Sequence, residues 1–89
     1  NDIRILLTDI VYIESQSEYL KLYLKDGTSH MALMSLKNMI LLLPPESFLR
    51  IHRSYIVNMT HIKSVSRGRV FLDRNQELPI GDLYKEQVF

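Results

Sequence analysis

The sequence predicts a single, mainly β domain with one short central helix and a helical turn at its C-terminal end. Short stretches of alternating apolar and polar residues recur along the chain, and turn signals separate them at short spacing. Only one stretch, which follows Ser35, has a clear helical period. With 89 residues, the chain has room for one hydrophobic core and no second domain, so residues 1–89 are predicted to form one unit.

The first third of the chain is predicted to consist of strands. Apolar residues alternate over residues 3–7 and form a β-rich run at 10–13, and residues 19–24 alternate with a period of two. Asp26-Gly27 follows, and an Asp-Gly pair between apolar strands is a strong hairpin signal. The returning strand is expected at about residues 28–33.

The helix is predicted from its cap, its apolar stripe and its stop signal. Ser35 is a plausible N-cap, and Pro44-Pro45 ends the helix because proline has no amide donor and disfavours the α conformation in the residue before it. The apolar positions i, i+3, i+4 and i+7 between these signals are Leu36, Met39, Ile40 and Leu43. We interpret this stripe as core.

The second half returns to strands, expected at residues 48–51, 55–57, 62–65 and 70–72. Arg67-Gly68 and Arg74-Asn75 are turn signals between them. Residues 78–80 are predicted to be extended, and Gly81-Asp82 is predicted to start a short helix over residues 83–88.

Composition and spacing exclude most catalytic chemistries. The chain has no cysteine, no run of about 20 apolar residues, no signal peptide and no G-x-G arrangement. The spacing of His30, His52 and His61 matches no recognisable metal site, and no nucleophile elbow surrounds Ser54. We therefore expect no enzymatic activity, no cofactor and no metal.

The net charge of +1 conceals an uneven distribution. Residues 1–47 carry four basic and six acidic side chains, whereas residues 48–89 carry seven basic and four acidic ones. No acid lies between Glu46 and Asp73, a stretch that contains Arg50, Arg53, Lys63, Arg67 and Arg69. Such a stretch is either a surface that faces a polyanion or an ordinary solvated sheet face.

Residues 48–58 (FLRIHRSYIVN) form the densest motif. On a regular strand Arg50, His52 and Ser54 would share one face, but a break near Arg53 would expose its guanidinium for bidentate contacts with guanine or phosphate. His52 and Ser54 can each donate to phosphate, or they can be a half-buried histidine and a turn former. We assign Asn58 to structure.

This motif resembles the signature of the LytTR family, the DNA-binding output domain of bacterial response regulators. Three further segments agree with that family in order and spacing: DIVYIES at 9–15, the single helix after Ser35-Leu36, and LPIG at 78–81. The resemblance implies an elongated stack of small, mostly antiparallel sheets with about ten short strands. It also implies that loops, not a recognition helix, read successive major grooves of double-stranded DNA.

Carried over by position, the resemblance places Arg53 at a base-reading site in the central loop, with His52 and Ser54 beside it as phosphate or positioning groups. The first loop is then Gln16, Ser17 and Glu18. The third loop contains Gly81 and Asp82, where family members commonly have a serine and a basic residue, and Lys85 could supply the missing charge one turn later.

The expected function is therefore sequence-specific DNA binding by a bacterial two-component transcription regulator in the cytoplasm, without membrane contact. The expected partners are direct DNA repeats, a second copy of the protein on DNA and an upstream receiver domain. The abrupt ends at Asn1 and Phe89 suggest a fragment of a longer regulator. Two alternatives remain open: a protein-interaction module with a basic stripe, and a small RNA-binding β-domain.

Overall fold

The computed structural model describes residues 4–88, which form eight strands and two short helices. In chain order they are β1 (Ile10–Gln16), β2 (Tyr19–Leu24), β3 (Ser29–Ala32), α1 (Leu36–Leu42), β4 (Phe48–His52), β5 (Tyr55–Asn58), β6 (Ile62–Ser66), β7 (Arg69–Leu72), β8 (Glu77–Pro79) and α2 (Lys85–Val88). The mainly β prediction is confirmed, with eight strands in this part of the chain where the resemblance implied about ten.

The alternation at the start of the chain does not form a described strand. Ile3 lies outside the described residues, residues 4–6 are irregular, and Leu7–Asp9 form a 3₁₀ turn. This turn leads into β1. Its Asp9 forms an ion pair with Lys25, with Oδ1 and Nζ 3.1 Å apart. Residues 4–9 of the described chain therefore form no strand, although the alternation predicted one there.

The strands form two antiparallel sheets. The first has the order β3-β2-β1-β5-β4, and the second has the order β6-β7-β8. Strand β1 is the middle strand of the larger sheet, and its residues Ile10–Ile13 are all buried. A strand covered on both faces needs a continuous apolar run, and the IVYI segment supplies one.

Each face of the five-stranded sheet carries its own core. On one face α1 covers a cluster formed by Ile10, Ile13, Leu20, Leu22, Leu36, Leu43, Phe48 and Ile56. The other face packs on the three-stranded sheet through Val11, Tyr12, Ile51, Val57, Val70, Leu72, Leu78 and Ile80. The result is three layers, with the larger sheet in the middle.

The predicted helix after Ser35 is confirmed, whereas the predicted C-terminal helix differs in its first turn. The Ser35 hydroxyl accepts a hydrogen bond from the Asn38 amide at 3.2 Å, and α1 ends just before Leu43 and Pro44. The helix predicted at 83–88 begins instead as a 3₁₀ turn, Asp82–Tyr84, and becomes α-helical only in α2. Neither α1 nor α2, the helices of residues 4–88, is long enough to span a membrane.

The domain measures 42 × 25 × 24 Å. The longest strand, β1, has seven residues and spans about 23 Å. Each strand is therefore shorter than any of the three dimensions of the domain. At one end of the strands the two sheets meet through turns, because a Cβ on Gly27 would lie only 2.7 Å from Arg74 Nη1.

Candidate nucleic-acid interface

Four loops of the described chain meet at the other end of the strands. They are the two-residue turns Ser17–Glu18, Arg53–Ser54 and Arg67–Gly68, and the segment Gly81–Asp82. We call this region the loop end. It brings together the three segments that the sequence predicted as DNA contacts and one further turn.

Backbone hydrogen bonds fix these loops side by side. The Ser15 amide donates to the Ser54 carbonyl at 2.9 Å, which ties the first loop to the central loop. The Gly81 amide donates to the Ile51 carbonyl at 2.8 Å, and the Ile80 amide donates to the Gly68 carbonyl at 2.8 Å. The spacing of the loops therefore depends on the backbone and not on the side chains at their tips.

Arg50 braces the central loop. Its Nη2 donates to the Arg53 carbonyl at 2.7 Å and its Nε donates to the His52 carbonyl at 3.3 Å. The guanidinium also lies over the Tyr84 ring, 5.8 Å from its centre. A β-bulge between Arg50 and His52 interrupts the regular alternation. The shared face that Arg50, His52 and Ser54 would have on a regular strand is therefore not formed, and the Arg50 side chain stabilises the turn.

The predicted break at Arg53 is confirmed. Arg53 is exposed in the turn between β4 and β5, whereas its neighbours His52 and Ser54 are half-buried. The Ser54 amide donates to His52 Nδ1 at 3.0 Å, so in this geometry the imidazole carries its proton on Nε2. His52 thus both stabilises the turn and keeps one donor for an external acceptor.

Glu14 organises the strand that leads into the first loop. Its carboxylate accepts from Tyr23 Oη at 2.8 Å, from Tyr55 Oη at 3.2 Å and from Gln16 Nε2 at 3.0 Å. Tyr23 also stacks on Tyr12, with ring centres 4.2 Å apart. Glu14 thus joins β1, β2 and β5, and it holds the Gln16 amide with its carbonyl oxygen and one N–H still unused by this contact.

Opposing effects act on the pKa of Glu14. Burial alone would raise it, but the hydrogen bonds from Gln16, Tyr23 and Tyr55 and the nearby Lys21 ammonium hold the pKa below its usual range. The pKa of Tyr23 is raised by burial and by its bond to the same carboxylate. The carboxylate is therefore ionised, and the tyrosine neutral, throughout the neutral pH range.

In the first loop, Ser17 adopts the left-handed conformation with φ 59°, and Gln16, Ser17 and Glu18 are all exposed. Glu18 can therefore only accept hydrogen bonds from a partner or stay in solvent. This loop presents an amide, a hydroxyl and a carboxylate without a cation.

The third loop is electrically neutral. Lys85 Nζ lies 3.0 Å from Asp82 Oδ1, and both side chains are largely exposed. The positive charge that we expected from Lys85 is thus balanced by the acid of its own loop. Gly81 is the N-cap of the 3₁₀ turn and the Asp82 carboxylate lies in its first turn, as predicted, although no side chain hydrogen-bonds to the cap.

Gly81 lies close to the central loop. A Cβ at this position would lie 3.1 Å from Tyr84 Cδ2 and 3.5 Å from the Cα of His52. The distance to His52 is an ordinary van der Waals contact, so the tight constraint on a side chain at this position comes from the Tyr84 ring of the same segment.

Sequence reasoning missed the roles of Glu14 and Arg50. No local pattern signals them, since one partner of Glu14 is 41 residues away and the Arg50 contacts depend on a bulge. The Asp82–Lys85 ion pair could have been predicted from the sequence, because residues three apart on a helical turn are neighbours.

The geometry agrees with comparisons to known proteins. The family model described as the LytTr DNA-binding domain matches residues 1–89. The chain belongs to the LytTR family of DNA-binding domains. The LytTR resemblance is therefore confirmed over the whole chain, and with it a role in DNA binding for transcription regulation.

Two relatives support this assignment. An uncharacterized response regulatory protein of Vibrio cholerae serotype O1 is 38% identical over 84 residues, which is 85% of this chain and 32% of that protein. The chain thus spans about a third of that relative's length. The solved LytTr DNA-binding domain of a protein described as a methyl-accepting/DNA response regulator from Bacillus cereus has a TM-score of 0.87 at 25% identity, over 97% of this chain and 83% of that one.

Proposed function

We propose that this LytTR domain binds double-stranded DNA sequence-specifically as the output domain of a bacterial response regulator, and that the loop end reads the major groove. One observation carries the proposal. Arg53 is exposed at the tip of a turn that Arg50, His52 and a neighbouring hairpin hold rigidly. A positioned guanidinium at the centre of adjoining loops is suited to bidentate recognition of guanine.

The neighbouring loops extend this contact. The first loop offers the Gln16 amide and the Ser17 hydroxyl, and Glu18 is suited to accept from a cytosine amino group. His52 Nε2 and the Ser54 hydroxyl are suited to phosphate oxygens. Gly81 allows close approach of the backbone, and Lys85 adds a cation that first neutralises Asp82.

Contacts in successive major grooves, which the LytTR resemblance implies, belong to the proposal. The domain is 42 Å long, whereas one turn of B-DNA rises about 34 Å. The net charge of only +1 makes affinity modest, so we expect two copies on direct repeats, where the second binding event becomes local. An upstream receiver domain and a cytoplasmic location belong to the same proposal.

The tyrosines favour duplex DNA over single-stranded RNA. Single-strand binders need exposed aromatic faces for base stacking. Here Tyr12, Tyr23 and Tyr55 pack on one another, and two of them donate their hydroxyls to Glu14. Tyr19, at the start of β2, also borders the loop end. It is 45% exposed and is the only exposed tyrosine in the strands of the described chain.

The test is selection of duplexes from a random pool at two salt concentrations. It compares the unmodified domain with Arg53→Ala and with Arg74→Ala, an exposed arginine at the opposite end. We expect a motif repeated about one helical turn apart, lost or relaxed only in Arg53→Ala, with about 1–3 kcal/mol less discrimination at one base pair.

Other outcomes would refute the proposal. An unchanged motif in Arg53→Ala would remove the central loop from base reading. Salt-sensitive binding without any motif would leave only a polyanion binder, and no binding at low salt would favour a protein-interaction module. Preference for single-stranded RNA in competition would favour the RNA-binding alternative.

A further inference from the structure

The loop end includes a turn that none of the predicted DNA contacts contains. Arg67–Gly68 connects β6 to β7 in the smaller sheet. The Gly68 carbonyl accepts from the Ile80 amide at 2.8 Å, and the next amide, that of Gly81, donates to Ile51 in β4. The turn is therefore joined through the third loop to the central loop, at the far side from Ser17–Glu18.

The charge of Arg67 is not used within the domain. Arg67 is exposed, and among residues 4–88 it takes part in no ion pair. The neighbouring Arg69 is paired with Glu77 at 3.4 Å. Lys85, which begins α2 beside the third loop, is paired with Asp82. Within the four described loops of the loop end, Arg53 and Arg67 are thus the two cations.

The backbone holds Arg67 in an unusual conformation. Arg67 has φ 53° and Gly68 has φ 73°, so both residues of this two-residue turn are left-handed. Such turns favour asparagine or glycine at the first position, and a larger side chain there costs of order 1 kcal/mol. The pairing of Ser66 with Arg69 across the turn imposes this conformation and holds the arginine at a tight hairpin tip.

We infer that Arg67 is a further DNA contact, which binds a backbone phosphate beside the bases read by the central loop. The inference rests on the proposed function. A phosphate is the expected partner because the other turn residue is glycine and offers no side chain for base reading. A guanidinium at the edge of a row of loops contacts the non-bridging phosphate oxygens and sets the register of the domain on the duplex.

A phosphate contact has a distinct thermodynamic signature. Neutralising one phosphate releases counterions, so the slope of log K against log salt changes by about 0.9. Losing one such contact weakens binding about fifteenfold at 0.05 M monovalent salt and about fivefold at 0.15 M. The base preference stays unchanged, because the phosphate carries no sequence information.

The chain offers a matched control. Arg74 is also exposed, also left-handed at φ 63° and also in a turn of the smaller sheet, but at the opposite end of the strands. Arg67→Gln and Arg74→Gln remove the same charge from equivalent backbone conformations. Arg74 also lies near Asp26, so thermal unfolding of both variants serves to show that each remains folded.

The experiment measures binding of the selected duplex by fluorescence anisotropy at four or more salt concentrations, together with motif selection for each variant. For Arg67→Gln we expect a slope of log K against log salt that is less steep by about 0.9, with an unchanged motif. For Arg74→Gln we expect the slope of the unmodified domain. Equal slopes and affinities for the two variants would overturn the inference. A changed base preference in Arg67→Gln would overturn the assignment to phosphate. A motif selected by the unmodified domain, with either of these results, would leave the proposed function intact, whereas the absence of any motif would refute that function itself.

Discussion

Asn58 belongs to the same segment as Arg53, yet its substitution should affect stability and not base recognition. The side chain is only 2% exposed, and the prediction that it is structural is confirmed. Its Nδ2 donates to the Ile10 carbonyl at 2.9 Å, and its Oδ1 accepts from the amide and the hydroxyl of Thr60 at 3.0 and 2.7 Å. Asn58 thus ties β5 to β1 and caps the 3₁₀ turn that follows.

The magnitude follows from these contacts. Asn58→Ala leaves the Ile10 carbonyl without this donor, which costs about 1–3 kcal/mol at a buried site. Loss of the cap adds about 1 kcal/mol. We therefore expect about 3 kcal/mol of destabilisation, a large fraction of the total of about 4–13 kcal/mol expected for 89 residues. With a urea m-value of about 1 kcal/mol/M, the midpoint should fall by roughly 3 M.

Urea unfolding followed by circular dichroism measures this change. Thr60→Val, which removes only the hydroxyl bond, should lose about 1 kcal/mol. Asn58→Asp should lose at least as much as Asn58→Ala at pH 7, because its carboxylate cannot donate to Ile10. A loss below about 1 kcal/mol for Asn58→Ala would refute the reasoning, and so would a changed DNA motif in its folded form.

Two further predictions concern charge. Because the pKa of Glu14 in the folded domain lies below its value in the unfolded chain, its stabilising contribution is present above about pH 4.3 and is lost as pH falls through the folded pKa. The stability difference between the unmodified domain and Glu14→Gln, measured by urea titration, should therefore shrink from pH 7 to pH 3. A constant difference would contradict this. Asp82→Asn removes the partner of Lys85 and raises the net charge by one, so DNA affinity in anisotropy titrations should rise, most strongly at low salt. Lys85→Gln should lower the affinity. An unchanged affinity in both variants would show that the third loop does not contact DNA.

Local signals predicted the local structure well. The Asp26-Gly27 hairpin, the Ser35 cap and the stop at Pro44 depend on residues within a few positions of each other, and all three are confirmed. The alternation at residues 3–7 failed because alternation needs a neighbouring strand, which no local pattern reports. The exposed break at Arg53 was predicted from its polar neighbours, but the Arg50 brace depends on a bulge that the pattern does not reveal.

The candidate site was predicted as separate segments, and its assembly was not. That Ser15 donates to Ser54, or Gly81 to Ile51, depends on which strands pair across some 30 to 40 residues of chain. Family resemblance placed three loops on DNA without stating how they are joined. Arg67 lies at the loop end because of the β7–β8 register, in which Arg69 pairs with Pro79. The local sequence of the Arg67–Gly68 turn does not indicate this register.

The way in which the loops are joined separates the residues proposed to contact DNA from the residues that hold the fold. Backbone bonds and the buried Ile51 and Ile80 hold the loops in place. The tips Gln16, Arg53 and Arg67 are exposed, so they can be substituted with little cost to the core. Since the net charge is only +1, we expect the loss of Arg53 or Arg67 to remove a large share of the favourable electrostatic interaction with DNA. On the proposed function we therefore expect substitutions at Gln16 or Arg53 to change the DNA motif with little loss of stability, whereas substitutions at Asn58 or Arg50 lower stability and leave the motif unchanged.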